Sequence, residues 1–145
     1  ALSGVAGHAL LLQEVSMEVQ RINPESLPTP VAAYCQVARK GSIVTTAGHI
    51  AFDGDGKLVG EGDIRAQTRQ TLENIRVSLE AAGASIRDVL QTTVYLSDFD
   101  NYKGMNEVFS EYFADNPPAR ATVRADLVFP TLLVEIQALA VIDGA

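Results

Sequence analysis

Two charged residues interrupt segments that are otherwise typical of β-strands. Arg120 opens an alternating segment directly after Pro117-Pro118-Ala119, and Glu135 lies inside an apolar run near the end of the chain. A buried charge is costly unless it is paired or used. In one interpretation the two residues form a structural salt bridge, or Arg120 pairs with another carboxylate. In the other, the guanidinium binds a substrate carboxylate as a bidentate fork, and Glu135 positions or deprotonates a water.

The spacing of these two residues leaves both interpretations open. A regular hairpin folded about Phe129-Pro130 would place Arg120 nearer Leu139 than Glu135. The guanidinium and the carboxylate would then meet only through a bulge or across a subunit boundary.

Other catalytic and metal-binding motifs are missing from the sequence. It holds no nucleophile elbow, phosphate-binding loop, HExxH or paired-cysteine motif. The one cysteine, Cys35, cannot form an internal disulfide, and two histidines cannot make a Cys/His zinc site. The turn Asp53-Gly54-Asp55-Gly56 begins like a calcium loop, but no Glu follows at the twelfth position. We therefore expect no metal site, and we interpret His49 as a surface or packing residue rather than a site acid.

The composition bounds the class of protein. A chain of 145 residues with 47% hydrophobic and 20% charged residues is typical of one globular domain. The net charge of −7 disfavours nucleic acid as a partner, because phosphate neutralisation supplies most of that affinity. No apolar run reaches the ~18 residues of a membrane span, and the start lacks the basic segment of a secretory signal. We expect a cytoplasmic protein with no membrane partner, whose single domain spans residues 17–145 and leaves residues 1–16 as an extension.

The hydrophobic period predicts two helices and five strands. Apolar residues three or four apart predict a helix from Asp63 to Ala84, capped by Asp63 and Gly83, and a second helix from Tyr102 to Phe113. Strands are predicted at 33–39, 42–47, Val89–Leu96, Arg120–Val128 and Leu132–Ile142. The order β-β-α-β-α-β-β predicts an α+β fold, a mixed sheet with both helices packed on one face. Because the last strand is apolar on both sides, we expect the other face to pack on another subunit.

Several segments carry a resemblance to a known family. They are Ala47–Ile50, Ala66–Ile75, Ala81–Ala84 with Asp88-Val89, Pro118–Val123 and Val134–Ala140. Together they resemble the reactive-intermediate deaminase (YjgF/RidA) family over about residues 19–142. The most specific element is Pro-Ala-Arg, followed fifteen residues after the arginine by a Glu in the final strand.

The resemblance implies a chorismate-mutase-like fold that assembles as a homotrimer with sites in the clefts between subunits. Members of the family hydrolyse enamines and imines of 2-amino acids, such as 2-aminoacrylate, to 2-keto acids and ammonia, without a metal or cofactor. The resemblance gives Arg120 the role of holding the substrate carboxylate, and Glu135 that of the carboxylate associated with the catalytic water. Tyr34 matches a tyrosine that lines the cleft, Gly48 a backbone group facing the ligand, and Asn106 a polar residue on the second helix.

The chain departs from the family pattern at three places. Ala32-Ala33-Tyr34 stands where the pattern usually has Gly-Pro-Tyr. Ala47 replaces a serine, which removes a hydroxyl donor and puts the standard small-substrate specificity in question. Thr122 replaces a frequent cysteine at a substrate-binding position and keeps a hydroxyl.

We predict a hydrolytic deaminase of small, carboxylate-bearing 2-enamino or 2-imino acids, and two alternatives stay open. The first alternative is a deaminase of the family branch that acts on 3-aminoacrylate in pyrimidine breakdown. The chain resembles this branch at three segments: Ala51-Phe52-Asp53, Ala66-Gln67-Thr68-Arg69 and Asn101-Tyr102. A non-catalytic metabolite-binding or regulatory trimer with a decayed site is the other alternative. Ala47 favours that interpretation, and the retention of Arg120 and Glu135 opposes it.

Overall fold

A computed structural model describes residues 18–143, which form six strands and two α-helices. The strands are β1 Gln20–Ile22, β2 Val37–Lys40, β3 Ile43–Thr46, β4 Val89–Leu96, β5 Ala119–Arg124 and β6 Val134–Val141. The helices are α1 Ile64–Ala81 and α2 Tyr102–Phe113, and short 3₁₀ turns at Ile86–Asp88 and Phe99–Asn101 flank β4. The extension expected at residues 1–16 lies outside the described residues.

The six strands form one mixed sheet in the order β1-β2-β3-β6-β4-β5, and β4 and β5 are its parallel pair. α1 packs on β3 and β6 and against α2, so both helices cover one face. Fully buried side chains between the layers include Leu72, Ile75, Leu79, Met105, Phe113, Val94 and Ile136. The predicted α+β fold is thereby confirmed. No helix within residues 18–143 has the length and apolarity needed to cross a membrane.

The first helix begins and ends where its capping residues predict. The Asp63 carboxylate accepts a hydrogen bond from the backbone N–H of Ala66 at 3.1 Å, which satisfies a free donor of the first turn. At the other end Gly83 adopts φ +85°, and the N–H of Ala84 donates to Leu79 O at 2.8 Å. The helical segment ends at Ala81, slightly earlier than predicted, because the chain has already turned at Gly83.

Four of the five predicted strands are shorter in the structure, among them β3, which spans Ile43–Thr46 rather than 42–47, and β1 is an addition. β1 pairs with β2 through the three residues Gln20–Ile22. The first predicted strand starts at Val37 rather than at residue 33, because the N–H of Gln36 donates to Asn23 Oδ1 at 2.9 Å instead of to a neighbouring strand. β5 ends at Arg124 rather than Val128, and β6 spans Val134–Val141 rather than 132–142.

The expected hairpin between the last two strands is wrong. β5 and β6 do not pair, because β4 lies between them and pairs with both. β4, α2 and β5 form a parallel crossover unit, and the following loop returns the chain to the centre of the sheet. Alternation within a strand fixes which residues share a face, but it does not fix which strand becomes the neighbour.

Candidate active site

Arg120 and Glu135 lie on opposite faces of the sheet. Arg120 donates hydrogen bonds to side chains of α2, so it lies on the face that the helices cover. Glu135 lies between Val134 and Ile136, which are fully buried under the helices, so its side chain is on the other face. We name that other face, on which no helix packs, the open face. The salt bridge between Arg120 and Glu135 that the sequence left open does not form within one chain.

The strand register shows that Arg120 and Glu135 are also far apart within the plane of the sheet. Thr92 of β4 pairs with both Arg120 and Ala138, and Ala138 is three residues from Glu135 along β6. The two backbones are therefore roughly 10 Å apart along the strands and about 10 Å apart across them. A substrate that touches both residues of a single chain would have to pass through the sheet.

The guanidinium of Arg120 is held by uncharged partners. Its Nη1 donates to Asn106 Oδ1 at 2.9 Å, and its Nη2 donates to the hydroxyl of Tyr102 at 3.0 Å. Its Cζ lies 4.7 Å from the centroid of the Phe109 ring, within the range of a cation–π contact. None of the ion pairs found among residues 18–143 includes Arg120. The cation is thus oriented, half-buried and not neutralised by a carboxylate.

A cleft of about 210 Å³ opens beside this guanidinium. Arg120, Asn106 and Ser110 contribute its polar lining, and the remaining lining is apolar: Phe109, Phe113, Ala114, Pro117 and Pro118. No group of three His, Cys, Asp or Glu side chains that could hold a metal occurs in the described part of the chain. The chemistry that this lining offers is the binding of an organic anion.

The Glu135 side chain lies against Gly48, because the segment after β3 is hydrogen-bonded to β6. His49 and Ile136 exchange backbone hydrogen bonds of 2.8 and 3.0 Å, which brings Gly48 against the Glu135 side chain. A Cβ at position 48 would overlap Oε2 of Glu135 and lie 2.9 Å from its Cδ, so glycine leaves the space that the carboxylate occupies. Partial burial raises the pKa of Glu135 above its usual value. A carboxylate of raised pKa is a stronger base toward a bound water.

The structure separates the other predicted site residues into the same two groups. Thr122 pairs with the buried Val94 and so lies on the helix-covered face with Arg120 and Asn106. Tyr34 is exposed on the loop before β2, two residues from Gln36, whose carbonyl accepts from Ala47 N at 2.9 Å. Tyr34 therefore belongs to the end of the sheet that holds Gly48 and Glu135.

We name these groups by their charge. The cationic half-site consists of Arg120, Asn106, Tyr102, Phe109 and Thr122, and the acidic half-site of Glu135, Gly48 and Tyr34. Each half-site contains only one of the two charged residues, Arg120 and Glu135, that the sequence singled out.

Tyr102 and Phe109 are the members of the cationic half-site that the sequence did not single out as site residues. An aromatic residue on a helix is more often a core residue, but Tyr102 is 42% exposed and its hydroxyl accepts a hydrogen bond from Nη2 of Arg120. The signal was its spacing, because Tyr102, Asn106 and Phe109 are four and three residues apart and so share one face of α2.

His49 is a buried packing residue, one of the two positions that the sequence left open for it. It is 4% exposed, and its Nε2 lies 2.9 Å from the hydroxyl of Ser78 on α1. Burial lowers the pKa of His49 from 6.5 to about 4, against a smaller opposing effect of a backbone hydrogen bond with Gln36. The imidazole is therefore neutral near pH 7 and supplies no proton there.

Comparisons with known proteins agree on one family. The family model described as Endoribonuclease L-PSP matches residues 24–142. A RutC family protein of Pyrococcus horikoshii is 43% identical over 116 residues, which are 80% of this chain and 92% of that protein. The 3-aminoacrylate deaminase RutC of Acinetobacter baylyi is 38% identical over 124 residues, which are 86% of this chain and 98% of that protein. The crystal structure of E. coli TdcF with bound serine matches with a TM-score of 0.77 and 29% identity, over 84% of this chain and 98% of TdcF. With the fold described above, these matches show that the chain belongs to the Endoribonuclease L-PSP family, the YjgF/RutC/Rid proteins.

Proposed function

We propose that this protein is a hydrolytic deaminase of small 2-enamino or 2-imino acids, which it converts to 2-keto acids and ammonia. The observation that carries the proposal is the guanidinium of Arg120, held by two neutral acceptors at the wall of a cleft and free of any carboxylate partner among residues 18–143. Such a cation binds a carboxylate through two parallel hydrogen bonds. A relative named as a deaminase and a structural neighbour with a bound amino acid support this class of substrate.

We further propose that each active site combines the cationic half-site of one chain with the acidic half-site of another. The open face supports this assembly, because Glu135 is the only charged residue that β3, β4, β5 and β6 direct toward it. Apolar side chains are exposed there, including Ile43, Val123 and Val141. Depletion of charge around exposed apolar side chains is typical of the core of a protein interface. The homotrimer implied by the family resemblance would cover this face and bring the two half-sites together.

The proposed reaction needs only groups of these two half-sites. Arg120 holds the substrate carboxylate, so that the neighbouring imine carbon faces a water bound to the partner chain's Glu135. A 2-enamino acid first tautomerises to the imine. The Glu135 carboxylate takes a proton from the water as the water oxygen adds to the imine carbon, and it returns this proton to the imine nitrogen, which gives a neutral carbinolamine. Glu135 then passes the hydroxyl proton of the carbinolamine to the same nitrogen, so that the C–N bond breaks, ammonia leaves and the carbonyl forms. Since these substrates also hydrolyse in water, positioned acid–base catalysis of roughly 10²–10⁴-fold is sufficient.

Cleavage of RNA, the activity that the name Endoribonuclease L-PSP denotes, fits the surface charges less well. The chain carries a net charge of −7. Three arginines on the exposed side of α1, Arg65, Arg69 and Arg76, are each within 3.0 Å of a glutamate oxygen. These arginines are neutralised locally and offer little attraction for phosphates.

The substrate test is a panel of 2-imino acids, 2-aminoacrylate and 3-aminoacrylate generated enzymatically in the presence of the protein. We expect accelerated ammonia release from the 2-substituted compounds and its loss in Arg120→Ala. Equal rates for the wild type and Arg120→Ala would refute the assignment. A preference for 3-aminoacrylate would favour the second candidate function, which the RutC relative of A. baylyi supports.

The composite site is tested by mixing two inactive variants. Arg120→Ala keeps the acidic half-site, and Glu135→Ala keeps the cationic half-site. After the chains of an equal mixture are exchanged, about one quarter of the interfaces should combine two intact half-sites. We expect about a quarter of wild-type activity after exchange. A mixture that stays inactive, although mass spectrometry shows mixed oligomers, would contradict a site shared between chains.

A further inference from the structure

Tyr102 contacts Arg120, and neither the sequence pattern nor the family resemblance gives Tyr102 a role in the site. Its hydroxyl oxygen lies 3.0 Å from Nη2 of Arg120, and the Arg120 Cζ lies 5.8 Å from the centroid of its ring. Asn106 binds the other terminal nitrogen, and the Phe109 ring lies against the guanidinium. The cation is therefore contacted by three side chains from one face of α2.

The chemical nature of these partners is significant for anion binding. A guanidinium has five N–H donors and no acceptor, so two neutral acceptors fix its plane and leave three donors. A carboxylate in place of either acceptor would also orient the group, but it would cancel the charge that attracts the substrate. A phenol oxygen orients the cation without this loss.

We propose that Tyr102 is a positioning residue for the substrate carboxylate: it holds the guanidinium of Arg120 in the orientation that binds the anion while leaving its charge uncompensated. The inference rests on the proposed function, since the anion is the carboxylate of the imino acid. An arginine side chain that is already fixed loses little further rotamer freedom when the ligand arrives, which favours binding. Tyr102 thus affects affinity for the carboxylate more than the chemical step at the imine carbon.

The experiment compares Tyr102→Phe with the wild type, using pyruvate as a non-reacting carboxylate probe and pyruvamide as its uncharged counterpart. Phenylalanine keeps the ring but removes the acceptor. Loss of a hydrogen bond to a charged group should weaken pyruvate binding about tenfold, measured by NMR titration of the assembled protein. We expect KM for an imine generated by an amino-acid oxidase to rise by a similar factor, with kcat changed less than about twofold.

Two further variants separate this role from packing. Tyr112→Phe is the matched control, because it removes a hydroxyl that lies 2.9 Å from Glu73, between the two helices. We expect this control to bind pyruvate like the wild type. In Tyr102→Glu the introduced carboxylate can pair with Arg120, and we expect it to weaken pyruvate binding more than Tyr102→Phe does.

The outcomes distinguish this inference from the proposed function. If the wild type binds no pyruvate, or Arg120→Ala binds it equally well, the carboxylate site itself is refuted. If Arg120→Ala loses pyruvate while Tyr102→Phe binds it like the wild type, only the role of Tyr102 is overturned. A loss of pyruvamide binding equal to the loss of pyruvate binding, or a fall in Tm far beyond that of Tyr112→Phe, would show a structural role and also overturn it.

Discussion

Acidification should destabilise this protein through the buried imidazole of His49. In the folded chain burial lowers the pKa of His49 to about 4, whereas the ordinary value of 6.5 applies once the chain is unfolded. Between these two values the unfolded state binds a proton that the folded state does not. The destabilisation caused by His49 is therefore small above about pH 6.5 and grows progressively as the pH falls toward 4.

The size of this effect follows from the two pKa values. Comparing protonation of the folded and unfolded states gives a loss of about 2 kcal/mol in the free energy of unfolding between pH 8 and pH 5. The loss approaches about 3 kcal/mol near pH 4. Such a change is a large share of the stability of a typical small domain, which is about 5–15 kcal/mol.

The assay is urea unfolding followed by circular dichroism at pH 8, 7, 6 and 5, at one protein concentration, for the wild type and His49→Gln. The variant is expected to be less stable at pH 8, because glutamine fills the site imperfectly. It should lose about 2 kcal/mol less than the wild type on going to pH 5, since its side chain does not titrate. The contribution of the carboxylates is common to both proteins and cancels in this comparison.

The matched control is Thr71→Val, which changes another buried side chain of α1 but removes no titratable group. It should retain the pH dependence of the wild type. If the wild type and His49→Gln lose the same stability between pH 8 and pH 5, the argument from a buried neutral imidazole is wrong.

Three other predictions concern the half-sites. Asn106→Asp places a carboxylate where Oδ1 now lies 2.9 Å from Nη1 of Arg120. Pyruvate should therefore bind at least about tenfold more weakly than in the wild type, and more weakly than in Asn106→Ala. Wild-type affinity of Asn106→Asp in a titration would contradict the neutral-acceptor argument. Glu135→Gln should abolish deamination yet raise Tm at pH 8, because burial disfavours the ionised carboxyl of the wild type. This gain in Tm should shrink as the pH falls and the wild-type carboxyl protonates. Equal Tm values of variant and wild type at pH 8 would refute the stability prediction. Gly48→Ala should displace the Glu135 carboxylate and lower kcat about tenfold. In a Glu135→Gln background the same substitution should lower kcat no further. An additive loss of kcat in the double variant would disprove the steric cause.

The helices were predictable because their signals are local. The period of buried residues and the Asp63 cap locate α1, and the bounds of α2 agree with the predicted Tyr102–Phe113. The sheet was predictable only in part. The alternation of a strand predicts that Arg120 and Thr122, two residues apart, share one face. The insertion of β6 between β3 and β4 depends on long-range pairing that no local pattern encodes.

The same limit applies to the candidate site. The sequence singled out Arg120 and Glu135, because charges inside strands are rare, and it left open whether they meet. Their position on opposite faces follows from the pairing of both strands with β4, because β5 and β6 are consecutive in sequence but are not neighbours in the sheet. Tyr102 was missed because an aromatic residue on a helix is more often a core residue, and its exposure depends on where β5 lies.

The central place of β6 has a consequence for synthesis of the chain. The last strand of the described chain separates β1–β3 from β4–β5, so the sheet stays in two parts, each with an unpaired edge, until Val134–Val141 is available. Unpaired edges are templates for aggregation. A nascent chain stalled before this strand would be an exposed and vulnerable intermediate, and a nonsense mutation that removes only the final strand should yield insoluble protein rather than a smaller folded domain.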